Sequence, residues 1–562
     1  MVKGDALRRL APPFLLLLIA LAFLALKSFS LHWEVGDENI YWYMAQAMAE
    51  DGVCFYRDFF FAHPPLHLLP GVVLVKIFGF SILLMRLLPA GAALLAGICI
   101  YLSTRRSFGA AAGALAAACF LFSFDVLRAS SHWTGINLTV MWLAAGWWAF
   151  ASGRCATAGL LFSLAAGTGN YALPSVLGAG VLALLEGKRS GLRFSLAFAG
   201  LWLTLQIVGL FLGGGGYIDA VWRYHLQKPE GSVASMFARV FTDNLFMPLC
   251  ALLGVWFGWR RPEAGAATGE DRSWLRRFFD SRCVRGRTAQ LALLVLLNLL
   301  FLSRLGRLFP FYFLLVFVWL APLAGLGLVA AGERLLALGE KALRRNAPTR
   351  GEMLTALSAP LLLTLALLAR GPLQNALLPD YVRKVDRPMV WADAPLLGPI
   401  NTMLRLLFFE NPARAYKTYG TITEYLFHES QYFEAAPQLA EYVSTHTQAE
   451  DRIFGDSSSA PLLAMLAGRR LAAHEADTNA MRFRSGITRP RELIEKVEKD
   501  RLKLVVVSGR EEHLPGGIVR YRFAGFGAVG EFRRWLEENF EPAYRVRDRT
   551  KGEFFIFARR QP

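Results

Sequence analysis

Long apolar runs recur along the first two thirds of this chain, and they limit its fold more than any other feature. A helix needs roughly 17–25 residues to cross the hydrocarbon core of a bilayer. Runs of that length, or slightly shorter with polar edges, lie at 11–29, 82–102, 109–124, 133–151, 156–169 and 171–185. Others follow at 194–212, 244–259, 289–303, 309–330 and 353–369. Unpaired backbone groups are too costly in hydrocarbon, so each run is expected to be a helix. The chain reads as mainly α, a polytopic membrane protein with about eleven transmembrane helices. A hydrophobic share of 54% over 562 residues agrees, being too apolar for an ordinary soluble protein.

Charge orients these spans. The segment 66–80 is short and contains Pro70, Gly71 and Lys76, which suits a surface or re-entrant helix better than a span. With it left out, Arg105-Arg106, Arg154, Lys188-Arg189, Arg260 through Arg287 and Arg344-Arg345 share the side of the basic N-terminus. The positive-inside rule makes that side cytoplasmic, with Asp37 and the C-terminus outside. The net charge of +17 is thereby explained by topology, and no nucleic-acid partner is expected. Lys27-Ser28-Phe29 lacks the small residues of a signal cleavage site, so the first run is read as an uncleaved span. The six cysteines stand singly, without a disulfide framework or zinc spacing.

The outer loop 30–81 carries the chemistry. Asp37-Glu38 follows the first span, and carboxylates at the mouth of a membrane helix are expensive unless they face a polar cavity. Ile40, Tyr41, Met44, Ala47 and Met48 then recur at helical spacing, as in a helix lying on the membrane surface. Next comes Tyr56-Arg57-Asp58, and then Phe59-Phe60-Phe61-Ala62-His63-Pro64-Pro65-Leu66, whose prolines force His63 out of helical geometry. An Asp-Glu pair after the first helix, followed by an aromatic run ending in His-Pro-Pro, resembles the protein O-mannosyltransferases. It also resembles the lipid A aminoarabinose transferases and the related lipopolysaccharide glycosyltransferases. The match covers roughly residues 10 to 110. One departure stands out: the aminoarabinose transferases have Glu-Lys before Pro-Pro, where this chain has Ala62-His63.

The resemblance implies a type-C glycosyltransferase fold and an enzyme that takes sugars from polyprenyl-phosphate donors at the outer face of the plasma membrane. Inverting transfer needs one base for the acceptor hydroxyl, and the leaving lipid phosphate needs positive charge. Asp37 is the expected base. Glu38 is expected to orient the acceptor or to join Asp37 in holding a divalent cation. Arg57 and His63 are candidate contacts to sugar or phosphate. Arg304 and Arg307, in a short outer loop between apolar helices, form a candidate phosphate clamp because guanidinium grips phosphate bidentately. His225 and Lys228 follow the run Gly213–Gly216, which reads as a lid hinge or a linker and not as a phosphate loop, since no Gly-Lys-Ser/Thr follows it. The acceptor, whether lipid, glycan or protein, is not legible.

After Arg370 the composition changes. Residues 371–435 read as a connector and 436–562 as an extracytoplasmic α/β domain, leaving 1–370 as the catalytic membrane domain. Helices are expected at 437–446, 460–466, 491–499 and 529–539, and strands at 452–455, 470–474, 503–507, 544–549 and 553–558. Asp456 and Asp477-Thr478-Asn479 read as turn or cap residues. Competing functions are a transporter or flippase, which would carry internal repeats and mid-membrane charges, and a polymerase or ligase of lipid-linked glycans. Neither accounts for the Asp-Glu and His-Pro-Pro loop.

Overall fold

The computed structural model describes residues 2–361, 364 and 433–560, apart from 29–30, 230, 261–274, 276–277, 345–347, 355, 358–359, 515–517 and 549–551. Most of the expected span 353–369, the connector 371–432 and much of the basic loop 260–287 lie outside these residues. Every expected run up to residue 330 is helical over most of its length. The helices are α1 Val2–Ser28, α2 Glu38–Glu50, α3 Leu69–Phe78, α4 Ile82–Phe108 and α5 Ala110–Leu121. Then come α6 Phe124–Ala129, α7 Ile136–Ala151, α8 Cys155–Thr168, α9 Leu173–Glu186 and α10 Lys188–Gly213. Among the described residues, α4, α10, Val284–Ser303 and Pro310–Leu343 are each long and apolar enough to cross a bilayer alone. Shorter apolar helices, Pro13–Ser28, α5, α7, α8 and Asn170–Glu186, complete a multi-pass bundle. The run expected at 244–259 is Phe246–Arg260, bent by 81° from the amphipathic helix Val233–Asp243.

Burial separates the centre of the bundle from its lipid face. In Pro310–Leu343, 89% of the apolar window is buried by protein, whereas in α10 only 6% is. The central helix is held by backbone approach through small residues, the usual glue where lipid removes the hydrophobic drive. A Cβ on Gly254 would collide with the Leu323 carbonyl, and one on Gly327 with that of Cys250. This packs the middle of the central helix, whose N-terminal end carries Phe311 and Tyr312.

α3 has ten residues, about 15 Å of helix, half of what a span needs. It fits the surface or re-entrant reading. α2 differs from its expectation. Ile40, Trp42, Tyr43 and Met44 are all buried, and one apolar cluster runs from them into Leu439, Leu463 and Leu471 of the C-terminal part. The helix expected to lie open on the membrane is therefore roofed by the α/β domain.

That domain is a six-stranded sheet in the order β2-β1-β3-β6-β5, with β4 also paired to β3. Its strands are β1 Arg452–Gly455, β2 Arg470–Leu471, β3 Leu502–Leu514, β4 Ile518–Phe523, β5 Phe540–Asp548 and β6 Gly552–Arg559. β1 pairs in parallel with β2 and β3, and the remaining pairs are antiparallel. Polar contacts staple the domain to the outer loop. Asn39 Nδ2 donates to the Ser458 carbonyl at 2.7 Å, the Leu471 N–H to the Tyr43 hydroxyl at 2.7 Å, and Lys496 Nζ to the Asp58 carbonyl at 2.8 Å. Arg470 pairs with Glu50 at 2.7 Å and Asp51 at 2.6 Å. The expected strand 470–474 stops at Leu471, because Ala473 and His474 take φ of 52° and 55°.

Candidate active site

A cleft with roughly 810 Å³ of free space lies where the bundle, the outer loop and the α/β domain meet. Asp37, Tyr41 and His63 line it from the outer loop, Tyr224 and Lys228 from the segment after α10, and Arg307 and Tyr312 from the start of the central helix. Asp477 and Asn479 close it from the α/β domain.

Asp37 sits at the N-cap position of α2, yet its side chain makes no capping hydrogen bond. The carboxylate is accessible within the cleft. Burial there raises its pKa above the ordinary value, and the Lys228 ammonium opposes the rise. Lys228 is pushed down to about 8, chiefly by burial, with Asp477 and Asp37 pulling it back up. Its ammonium stands 4.7 Å from the centre of the Tyr224 ring. Arg307 Nη1 contacts Met481 Sδ at 3.2 Å, and its guanidinium lies 5.5 Å from the centre of the Phe309 ring. A base and two cations thus share one cavity.

Burial holds His63, His67 and His225 toward the neutral form. His63 Nε2 and the Tyr41 hydroxyl are 3.1 Å apart, and burial together with His67, His225 and Lys228 holds His63 well below the usual imidazole value. It offers a polar contact rather than a positive charge. Its position is set by the Tyr56 hydroxyl, which donates to the His63 carbonyl at 2.6 Å from a left-handed backbone, φ 69°. Burial pushes His225 down to about 3. His225 is not among the lining residues. Its Nε2 donates to the Ala62 carbonyl at 2.5 Å, so Nδ1 must accept from the Tyr171 hydroxyl at 2.9 Å. Tyr171 is then left to accept from Tyr312 at 3.0 Å. His225 therefore braces the outer loop instead of meeting substrate.

Three other sequence expectations are corrected. Glu38 does not share the cleft with Lys228 and Arg307. It is buried, and both of its oxygens accept from Arg86 Nη1, at 2.7 and 2.8 Å. Burial pushes its pKa up, Arg86 pulls it back, and the nearby Glu34 adds to the rise. The Arg86 guanidinium thus occupies both Glu38 oxygens, and Glu38 meets Asp37 in a neighbouring cavity lined also by Asp125, Arg128 and His132. Among the described residues no three His, Cys, Asp or Glu side chains gather as a metal site. Arg57 lies on the surface with its side chain 65% exposed, paired to Asp58 at 2.9 Å. Arg304 is also exposed and absent from the cleft wall, so the expected arginine pair divides and only Arg307 faces in. In the glycine run, Gly213 packs against the Tyr56 side chain and a Cβ on Gly216 would come within 2.7 Å of the Tyr56 carbonyl, while Gly214 takes φ of 53°.

Arg86 joins α4 to the loop. Besides Glu38, it donates to the Ser131 carbonyl at 2.6 Å and the His32 carbonyl at 2.7 Å. Removing one partner of a buried ion pair typically costs about 3–5 kcal/mol, because the other charge is left uncompensated. Arg86→Leu is expected to lower the melting temperature of the detergent-solubilised protein by several degrees and to abolish activity, with Arg86→Lys partly restoring the melt. An unchanged melting curve for Arg86→Leu would show that the pair does not hold the loop.

Sequence reasoning missed His67, Tyr41, Tyr171, Tyr224 and Tyr312, and treated Asp477 and Asn479 as turn residues. His67 had a signal in its spacing four residues after His63. It is buried against Gly135, whose φ of 72° and missing Cβ leave room for the imidazole ring.

No family model matches the sequence, and no curated protein matches it either. Solved structures do. ArnT from Cupriavidus metallidurans bound to undecaprenyl phosphate superposes with a TM-score of 0.58 at 16% identity, over 96% of this chain and 97% of that one. The apo state of the same protein gives 0.55, with the same identity and coverage. The oligosaccharyltransferase AglB of Archaeoglobus fulgidus, in complex with an inhibitory peptide and a dolichol-phosphate, gives 0.47 at 12% identity, over 96% of this chain and 80% of that one. ArnT, the lipid A aminoarabinose transferase, is a type-C glycosyltransferase, and over nearly its whole length this chain has that fold.

Proposed function

We propose that the protein is a membrane glycosyltransferase that moves a sugar from a polyprenyl-phosphate donor to an acceptor hydroxyl at the outer face of the plasma membrane, with inversion. The observation that carries this reading is the Asp37 carboxylate, without a hydrogen bond among the described residues, sharing a cleft with Lys228 and Arg307 in a chain folded like a structure that holds undecaprenyl phosphate. Asp37 takes the proton of the acceptor hydroxyl as its oxygen attacks the anomeric carbon. The bond from that carbon to the phosphate oxygen breaks, and the electron pair leaves with the lipid phosphate. A phosphodiester of charge −1 becomes a monoester approaching −2. Cations fixed beside it therefore stabilise the transition state more than the bound donor. Lys228 and Arg307 are those cations. No step is assigned to a metal ion. The short loops rich in Lys and Arg on the opposite side support the outer orientation.

The test is transfer by the purified protein in proteoliposomes, from undecaprenyl-phosphate sugars to cell-envelope lipids and glycans, with products identified by mass spectrometry. Absence of transfer from every donor would overturn the reading. The pH profile supplies a further check. The base works deprotonated, so kcat/KM should fall as pH drops through the raised pKa of Asp37. The cation works protonated, so it should fall again as pH rises through about 8, the Lys228 value. Asp477 and Arg307 face the same space and shape the two limbs. A bound phosphate favours the charged lysine, so the alkaline limb of kcat should lie above that of kcat/KM. A profile flat from pH 5 to 9 would contradict this assignment.

A further inference from the structure

We infer that Asp477 and Asn479 of the α/β domain, with Tyr224, form the subsite that grips the hydroxyl groups of the donor sugar, so that the C-terminal domain selects which sugar is transferred. This rests on the glycosyltransferase reading and adds a substrate-reading role for a domain whose function neither the sequence motifs nor the fold assigns. All three residues line the cleft that holds Asp37.

The hydrogen bonds of the 475–482 turn leave these side chains available. The turn is anchored by Glu475, which accepts from Arg482 Nη1 at 2.7 Å and Lys496 Nζ at 2.7 Å. The Thr478 hydroxyl adds a bond to the Gly455 carbonyl at 2.7 Å. Arg482 also donates to the Asp477 backbone carbonyl at 2.9 Å and lies 4.4 Å from the centre of the Phe60 ring of the outer loop. The Asp477 carboxylate is not needed for any of this. Its Oδ1 accepts the Asn479 N–H at 3.1 Å, and its Oδ2 has no hydrogen bond among the described residues. Asn479 uses Oδ1 to accept the Met481 N–H at 3.0 Å, and its amide nitrogen makes no hydrogen bond among the described residues. An open acceptor and an open donor therefore stand two residues apart on the cleft wall.

That pairing suits vicinal hydroxyls, each of which both donates and accepts. Tyr224 is buried and lines the cleft, an aromatic side chain for the C–H face of a pyranose or furanose. Charge sets the direction in which the donor lies. An anionic phosphate is drawn to Lys228 and Arg307 and repelled by Asp477, so the sugar end is the part that meets the carboxylate.

The experiment compares two lipids in the purified full-length protein: undecaprenyl phosphate, which has no sugar, and undecaprenyl-phosphate sugars carrying a neutral hexose or an aminosugar. Asp477→Asn keeps an acceptor for the Asn479 N–H and removes the charged acceptor. It should weaken binding of the transferred sugar donor about ten- to a hundredfold, the range for losing a charge-assisted hydrogen bond, and raise its KM correspondingly. Binding of undecaprenyl phosphate should stay unchanged or tighten slightly, because an anion has been removed. Asn479→Ser retains a capping oxygen but loses the amide donor, and should give the same split at smaller size. An Asp477→Asn protein that loses affinity for both lipids alike, or for neither, overturns the inference while leaving the enzyme reading intact. A wild-type protein that binds neither lipid defeats the underlying reading instead.

Discussion

Asp37→Asn is expected to lower sugar transfer by roughly two or more orders of magnitude, the usual scale for loss of a general base, while donor binding and membrane insertion should survive. The substitution keeps size and hydrogen-bonding capacity and removes basicity alone. It should not disturb the fold, because the Asp37 side chain lines the cleft and makes no capping hydrogen bond. Desolvation inside the cleft raises the Asp37 pKa above the ordinary carboxylate value, which makes it a stronger base for a hydroxyl proton than a fully hydrated aspartate. The informative comparison is Glu38→Gln. That variant weakens a buried pair with Arg86 and should act through the melting curve, whereas Asp37→Asn should act through kcat with the melt unchanged. Transfer, donor-lipid binding and thermal stability measured on the same preparations separate the two. An Asp37→Asn enzyme that turns over near the wild-type rate would remove Asp37 as the base.

These adjacent carboxylates show what the sequence could and could not say. Hydropathy located the helices of the bundle, because a membrane helix is long, apolar and autonomous. The β1 strand and the helix Ala460–Ala467 were likewise written in local pattern. Which side of α2 faces the cleft was not. Asp37 and Glu38 are one residue apart, and only the position of Arg86, 48 residues further on, decides that one carboxylate is bound and the other open. The same holds for Arg304 and Arg307, whose spacing is compatible with a joint clamp until the turn into the central helix points them apart. Asp477 was hidden because the residues it shares the cleft with, Asp37 and Lys228, lie far away in the chain, and its own context is that of an ordinary turn. β4 was overlooked because its alternation, with Arg520 and Arg522 between apolar neighbours, follows Pro515-Gly516-Gly517 and reads as loop. Non-local pairing is invisible to any window of sequence.

The cations should matter nearly as much as the base. Lys228→Ala and Arg307→Ala are each expected to lower kcat/KM for the lipid-linked donor by about a hundredfold or more, the scale for losing one preorganised contact to charge that develops in the transition state. The loss should not be uniform across ligands. The donor is a diester of charge −1, and the released lipid phosphate approaches −2. Removing a cation should therefore weaken binding of undecaprenyl phosphate more than binding of the sugar-linked donor, and lower kcat as well as raise KM. Arg307→Lys keeps the stem along Phe309 and a positive charge but loses the planar fork, so it should recover only part of the activity. Arg304→Ala and Arg57→Ala supply controls from the same sequence motifs. Both side chains lie outside the cleft, and both variants should remain within a few-fold of wild type. Loss of activity in Arg304→Ala with Arg307→Ala unaffected would reverse the assignment and require the loop between the two arginines to turn over when the donor binds.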